Sequence, residues 1–307
     1  MVFEGSEKII ELGMKSGSSS LRLLPYDFWQ SLVASAGAEI ISHIGNDDCD
    51  AYLLSESSLF VWKDRIRMLT CGSTQLPNAL VLFIDKLGIE AIEYSTYQRK
   101  NEYQLQIETR SFQQDLDQIK QSIAGKGYRI GHLDSHHHYL FISETNESFR
   151  PLATTEFLMY HLTGALAGYF RSAKQTKDEI RAALALSQLF NGFEFDDHLF
   201  SPFGYSLNGL KGDKYLTIHI TPQEQSSYCS IETNLDHNVL TADLLHQFVK
   251  KLKPERCDLI TFGSPLLETE WANDMSIHSC SITTEHGYDV HFKHIHQQHD
   301  LPFTEIL

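Results

Sequence analysis

Leu54-Ser55-Glu56-Ser57-Ser58-Leu59-Phe60-Val61, followed further on by Thr70-Cys71-Gly72, places a Glu-Ser-Ser step among apolar residues. Short runs rich in apolar and β-branched side chains surround it: Glu39 to Ile44, Asp50 to Leu54, Ser57 to Trp62 and Arg65 to Thr70. Gly45-Asn46-Asp47-Asp48 and Lys63-Asp64 separate these runs, so they predict an antiparallel meander. Glu56-Ser57 then lies in or just before a strand and Cys71 at the end of the next, across one hairpin. Taken alone, a Ser-Ser pair in this setting also reads as a strand with small polar side chains facing out.

Outward from the meander, helices and strands follow in a plan that occurs twice. Pro25 opens a helix to about Ala36, with Phe28, Leu32 and Ala36 on one face. After Pro77, Leu80, Phe83, Ile84 and Leu87 recur at helical spacing up to Gly88, and a strand is expected from Ile89 to Tyr94. Ser111 is placed as the N-cap of a helix burying Phe112, Leu116, Ile119 and Ile123 and ended by Gly125, with strands near Tyr128 to Leu133 and Tyr139 to Ser143. In the second half Thr176-Lys177-Asp178-Glu179 is a capping box opening a helix to about Phe190. Strands at Tyr205, Tyr215 to Thr221 and Tyr228 to Thr233 precede a helix capped by Thr241 and halted by Pro254. Strands near Asp258 to Phe262, Ser276 to Thr284 and Tyr288 to Ile295 complete the half. The expected fold class is α+β: a four-layer α/β/β/α sandwich of two packed, mainly antiparallel sheets with helices outside. It would be a single domain of residues 1–307 with similar halves of about 1–160 and 161–307.

The chain has 25 Lys and Arg against 40 Asp and Glu, a net charge of −15 with no basic run. That argues against nucleic acid or an anionic membrane surface as partner and suits a cationic substrate. The opening residues lack the pattern of a signal peptide and no stretch has the apolar length of a membrane helix, so a cytoplasmic protein is expected. Five cysteines without a Cys-x-x-Cys spacing are read as free thiols. Among sixteen histidines, His136-His137-His138 and the set His291, His294, His296 and His299 stand out. The later set has neither a nearby Cys nor a paired Asp/Glu at ligand spacing, so solvated or half-buried strand histidines are expected and no metal.

Four separated segments keep an order and spacing that together span most of the chain. They are Phe3-Glu4-Gly5-Ser6-Glu7-Lys8, the Leu54 to Gly72 segment, Tyr97-Gln98-Arg99-Lys100-Asn101, and Phe200 through Gly204-Tyr205-Ser206-Leu207-Asn208-Gly209 to Thr217-Ile218-His219-Ile220-Thr221-Pro222. In these the chain resembles the eukaryotic-type, pyruvoyl-dependent S-adenosylmethionine decarboxylases. The resemblance implies cleavage between Glu56 and Ser57 into a β chain (1–56) and an α chain (57–307), with Ser57 becoming a covalent pyruvoyl cofactor. The residues agree chemically, because a serine hydroxyl can attack its own preceding carbonyl, turning an amide into an ester from which β-elimination leads to a ketone. Ser58 competes as nucleophile on sequence grounds; only the resemblance selects Ser57.

By the same resemblance His219 and Ser206 serve processing, as base and as hydrogen-bond donor to the oxyanion. Read without it, they are an ordinary strand histidine and a turn residue before Asn208-Gly209. Cys71 matches the proton donor to the substrate carbon, and a free thiol's usual pKa of about 8.5 keeps it protonated at neutral pH. Glu7 matches a carboxylate near the reaction. Phe3 and Phe200 match an aromatic pair stacking on adenine, while Leu54 and Gln223 fall at substrate-binding positions.

The chain also departs from the family pattern. Gln223 stands where a glutamate holds the ribose hydroxyls, with Glu224 next to it, and an amide accepts a hydrogen bond without the charge that strengthens it. Glu11, Thr154 and Glu156 match a pocket that binds putrescine in several members, but Leu152 replaces an aspartate and Leu69 a lysine. Weak or absent putrescine stimulation is expected, with Arg99 as the residue to neutralise the remaining acids. The leading reading is an S-adenosylmethionine decarboxylase for spermidine synthesis, with S-adenosylmethionine and the paired α and β chains as partners and a homodimer compatible. The alternatives are a pyruvoyl-dependent decarboxylase of ornithine or arginine, and a non-catalytic paralogue that regulates an active partner.

Overall fold

The computed structural model describes residues 7–101, 110–132, 136–144, 151–172, 174–223, 227–265, 267, 269, 275–285 and 287–297. The first sheet contains β1 (Lys8–Met14), β2 (Ile40–Gly45), β3 (Cys49–Leu54), β4 (Ser57–Trp62), β5 (Arg65–Thr70), β6 (Ile92–Asn101), β7 (Gly125–Gly131) and β8 (His137–Ser143). Their order across the sheet is β2-β3-β4-β5-β1-β6-β8-β7. The second contains β9 (Thr154–Leu162), β10 (Glu194–Leu199), β11 (Tyr205–Lys211), β12 (Lys214–Thr221), β13 (Tyr228–Thr233), β14 (Pro254–Phe262), β15 (Met275–Thr283) and β16 (Asp289–Gln297). Its order, β10-β11-β12-β13-β9-β14-β16-β15, repeats that of the first sheet with every strand number raised by eight. All these pairings are antiparallel.

Alternation along the strands sends one set of side chains to the helices and the other to the opposite sheet. Helices α1 (Tyr26–Ser35), α2 (Leu76–Leu87) and α3 (Phe112–Ile119) cover the first sheet, burying Trp29, Leu80, Phe83 and Leu116 against Ile10, Leu54 and Leu59. On the second sheet lie α4 (Gly164–Phe170), α5 (Lys177–Leu184), α6 (Leu186–Leu189) and α7 (Ala242–Leu252), with Phe170, Leu184 and Phe248 against Phe157, Leu207 and Leu259. The facing sides of the sheets meet through Ile9, Phe60 and Leu69 against Leu210 and Tyr215, and through Leu140 and Ile142 against Leu158 and Ile260. Burying one such aliphatic or aromatic side chain is worth roughly 1.5–3 kcal/mol. The four layers expected from the sequence are therefore present.

The differences lie where polar residues are buried. The central strands β1 and β9 are not anticipated, because Lys8, Glu11, Thr154 and Glu156 interrupt their apolar pattern yet are at most 6 % exposed. The second sheet starts at Thr154, so the expected boundary at 160/161 falls inside β9. Ile89–Ala91 is a 3-10 turn and the strand runs from Ile92 to Asn101 instead. The helix capped by Thr176 breaks at Ala185, whose φ of 59° is left-handed.

Candidate active site

Ser57 and Ser58 open β4 and face the second sheet together, which ordinary strand geometry forbids. Ser58 obeys the alternation: its Oγ donates to Asn208 Oδ1 at 2.6 Å, across the gap between the sheets. Ser57 should then point with Leu59 toward the helices. Instead its φ of 147° turns the side chain back, and its Oγ lies 2.8 Å from His219 Nε2, the same atom that Ser58 Oγ approaches at 3.3 Å. A non-glycine residue held in this region stores on the order of 1–3 kcal/mol. The strain falls at the residue bearing the predicted scissile nitrogen.

His219 is fixed by the register of β11 and β12, which sets it directly opposite Ser206. Its Nδ1 lies 2.7 Å from Ser206 Oγ, and Thr217 Oγ1, two residues earlier on the same face, is 2.7 Å from Nε2. Burial pushes the imidazole pKa down to about 4 despite the nearby Glu7 carboxylate, so the ring is neutral at physiological pH. In the tautomer whose hydrogen lies on Nδ1 and is donated to Ser206, Nε2 is the acceptor for which the Ser57, Ser58 and Thr217 hydroxyls compete. Ser206, expected as an oxyanion donor, has its hydroxyl beside the imidazole. The carbonyl oxygen of Glu56 accepts from the Cys71 N–H at 3.1 Å and the Cys71 thiol at 3.4 Å. Lys8 Nζ secures the same turn by donating to Gly72 O at 2.7 Å.

Glu7, Glu56, Ser57, Cys71, Phe200 and Gln223 border one pocket together with Ser206 and His219. Gln223 Oε1 is buried there with no hydrogen-bond partner among the described residues, and Phe203, which the sequence reading passed over, adds a half-exposed ring to the wall. Leu54 pairs with Ser57 in the ladder, but its side chain belongs to the core beneath the helices and does not line the pocket. Phe3 and Glu224 lie outside the described residues. Burial works against the Glu7 carboxylate, yet the Lys100 ammonium and the Tyr228 hydroxyl, which hydrogen-bonds it, hold its pKa below the usual range.

A second polar group lies between the sheets around Arg67, a residue the sequence reading did not single out. Its guanidinium donates to Glu11 Oε2 at 2.8 Å, Glu232 Oε1 at 2.6 Å, Glu156 Oε1 at 3.3 Å and Thr154 Oγ1 at 3.5 Å. Glu156 and Glu232 stand directly opposite each other on β9 and β13, a like-charge pairing that Arg67 bridges from the other sheet. Burial and the neighbouring Glu232 raise the Glu156 pKa to about 7, against the pull of Lys100. Arg99 is not the neutralising residue: it donates to Asp115 Oδ2 at 2.9 Å and to Arg110 O at 2.8 Å. Leu69 packs in the apolar contact between the sheets, and the Leu152 N–H donates to Glu11 Oε1 at 2.8 Å.

The expectation of half-buried strand histidines holds for His291 and His296, while His299 lies outside the described residues. His136, His137, His138 and His294 are all buried, and Asp258 supplies the carboxylate that sequence spacing around His294 did not show.

Three comparisons place this geometry. The family profile described as Adenosylmethionine decarboxylase matches residues 1–304. Similar curated proteins include the S-adenosylmethionine decarboxylase proenzymes of Dictyostelium discoideum, 32% identical over 94% of this chain and 83% of that protein, and of Xenopus laevis, 34% identical over 83% and 81%. A solved structure titled Crystal structure of Trypanosoma brucei AdoMetDC-delta26 monomer shares the fold with a TM-score of 0.63 at 23% identity, covering 78% of this chain and 99% of that one. With a whole-chain profile match and relatives above 30% identity, the chain belongs to the adenosylmethionine decarboxylase family.

Proposed function

We propose that the chain cuts itself between Glu56 and Ser57 and decarboxylates S-adenosylmethionine, yielding the aminopropyl donor of polyamine synthesis. The observation that carries this reading is the Ser57 hydroxyl 2.8 Å from a neutral His219 Nε2 on a residue strained to φ 147°. His219 takes the proton from Ser57 Oγ as that oxygen bonds to the Glu56 carbonyl carbon. Negative charge builds on Glu56 O, where the Cys71 N–H already donates. The C–N bond breaks, His219 returns the proton to the departing nitrogen, and the amide has become an ester. His219 then removes the Ser57 α-proton, Glu56 leaves as a carboxylate, and water converts the remaining enamine to a ketone and ammonia. Ser206 acts throughout as a positioning residue, keeping the Nδ1–H tautomer.

The residues fit a pyruvoyl group at Ser57, since the group is made in place and needs only this base and these carbonyl donors. When formed, it supplies a ketone that holds the substrate amine and draws off the electrons as carbon dioxide leaves. Cys71, with its thiol beside the scissile carbonyl, returns a proton to carbon. Phe200 offers a stacking face for adenine, with Phe3 expected as its mate, and Gln223 Oε1 accepts from a ribose hydroxyl. The site draws on both halves of the chain, which we read as one functional unit. A cytoplasmic location belongs to the same proposal and accords with five free cysteines. Among the described residues no helix is long and apolar enough to cross a membrane. A decarboxylase of another amino acid and a non-catalytic paralogue are not favoured.

Intact-mass measurement of purified protein tests the reading. Two chains joining at Glu56/Ser57, the larger without a free amino terminus, together with carbon dioxide release from S-adenosylmethionine, are expected. A stable 307-residue precursor would sink it.

A further inference from the structure

Farther along the cross-strand row that starts at His219 and passes through Ser230 and Leu158, two histidines and an aspartate from three separate segments converge. Asp258 on β14 stands directly opposite His294 on β16, which stands directly opposite His278 on β15, so the three side chains share one face. That face looks toward the first sheet, and His136, just before β8, reaches across from there. His136 Nδ1 lies 2.8 Å from Asp258 Oδ2, and His294 Nδ1 lies 2.6 Å from Oδ1. Tyr160 donates to Oδ2 at 3.0 Å, which fixes the carboxylate plane. The two imidazole centroids are 4.4 Å apart, and one nitrogen from each ring and a carboxylate oxygen all lie within 4.8 Å of one another. Among the described residues this is the one such group of three metal-ligating side chains. All three are buried, and a cavity of about 510 Å³ lined by His132, His278 and Cys280 opens beside them.

We propose that His136, Asp258 and His294 bind one divalent transition-metal ion of the zinc class, with its remaining position open to the adjoining cavity. Two imidazoles and one carboxylate match the donor set such ions prefer, whereas magnesium and calcium favour all-oxygen shells. The present distances of 2.6 and 2.8 Å are those of hydrogen bonds. Bonds of roughly 2.0–2.2 Å to a central ion separate adjacent ligands by about 3.3–3.6 Å, so the ring nitrogens retreat from their carboxylate oxygens by about 0.5–1 Å while the group, now within 4.8 Å, closes around the ion. Each imidazole ligates as the neutral ring, its hydrogen moving from Nδ1 to Nε2. The exposed His278 marks the side from which an ion enters. Arg256, two residues before Asp258 on the same face of β14, opposes binding, but it is part-exposed and screened by solvent. Bound there, the ion ties the first sheet, through His136, to the second, through Asp258 and His294.

The test uses the purified full chain, stripped with a chelator and titrated with Co²⁺. One equivalent should produce visible d–d absorption, displaced by stoichiometric Zn²⁺ and untouched by millimolar Mg²⁺. Zn²⁺ at a hundredfold excess over its Kd should raise Tm by about 4 °C. His136→Gln and His294→Gln should each weaken Co²⁺ binding at least thirtyfold while carbon dioxide release stays within twofold, and His43→Gln should change neither. In the unsubstituted cobalt-loaded protein, hyperfine-shifted exchangeable imidazole signals count the histidine ligands independently of whether a variant folds, and two are expected. Absent d–d bands, fewer than two such signals, or binding unaltered in both glutamine variants would overturn the site.

Discussion

The surroundings of Ser57 and of Arg67 occupy the same layer between the two sheets, and burial drives them to opposite electrical states. Around Ser57 the His219 ring touches only hydroxyls among the described residues, and burial pushes it toward neutrality despite the nearby Glu7 carboxylate. Around Arg67 burial again works against the charged form, but Glu232 and Glu11 hold the guanidinium charged well beyond its ordinary range. Lys100 sits between the two, 3.3 Å from Glu7 Oε2 and 3.1 Å from Glu156 Oε2. A base must exist in its uncharged form to accept a proton; a brace must stay charged to hold three carboxylates. Desolvation serves the first purpose, and opposite charge at hydrogen-bond distance serves the second.

The contrast is broken most completely by Ser57→Ala, which should leave one uncleaved chain by gel and mass while Tm stays within a few degrees. His219→Ala should slow cleavage by roughly 10²–10⁴-fold, the range expected for a lost general base, as followed by the appearance of the two chains. Arg67→Leu should act on the other side of the comparison. It leaves Glu11, Glu156 and Glu232 buried without their bridge and should cost about 3–5 kcal/mol in denaturant unfolding, with slower cleavage only as a consequence.

The pH dependence of cleavage sharpens the electrical difference. Because the folded His219 pKa is lowered to about 4, the ring stays unprotonated from neutral pH down to that value. Cleavage should hold nearly level between pH 8 and 5 and fall tenfold per unit below about 4. A midpoint at the ordinary histidine value near 6.5 would show that His219 is more hydrated than its burial implies. The smallest effect concerns diamines: putrescine should change processing and carbon dioxide release by less than twofold. Arg67 already donates to the acids a diamine would seek. A strong stimulation would show that Arg67 yields its place, and Arg67→Ala should then respond more than the parent chain.

Much of the Ser57 region is legible in the sequence because its signals are local. Short β-branched runs bounded by Asn-Asp and Lys-Asp turns give the hairpins, and Ser111 and Thr176 form the side-chain caps expected of them. The Arg67 cluster is opaque for the opposite reason. Glu11, Glu156 and Glu232 come from three strands and read as solvated charges until the sheets are stacked, and they hide β1 and β9 as strands. Arg67 follows an apolar residue on an alternating strand, and only the partner sheet shows that its face is internal. His294 escapes the sequence reading similarly, since Asp258 lies 36 positions from it yet directly opposite.

By itself, then, the sequence determined the sandwich of two sheets, the hairpin bearing Glu56 and Ser57, and the family resemblance that separates Ser57 from Ser58. Only the tertiary structure decided how both serines reach one imidazole, that the Cys71 main chain faces the Glu56 carbonyl, and that Arg67 replaces Arg99 among the acids. The physical reason is range. Alternation, caps and turns are written within a few residues, whereas desolvation and charge pairing depend on which distant strand closes over a side chain.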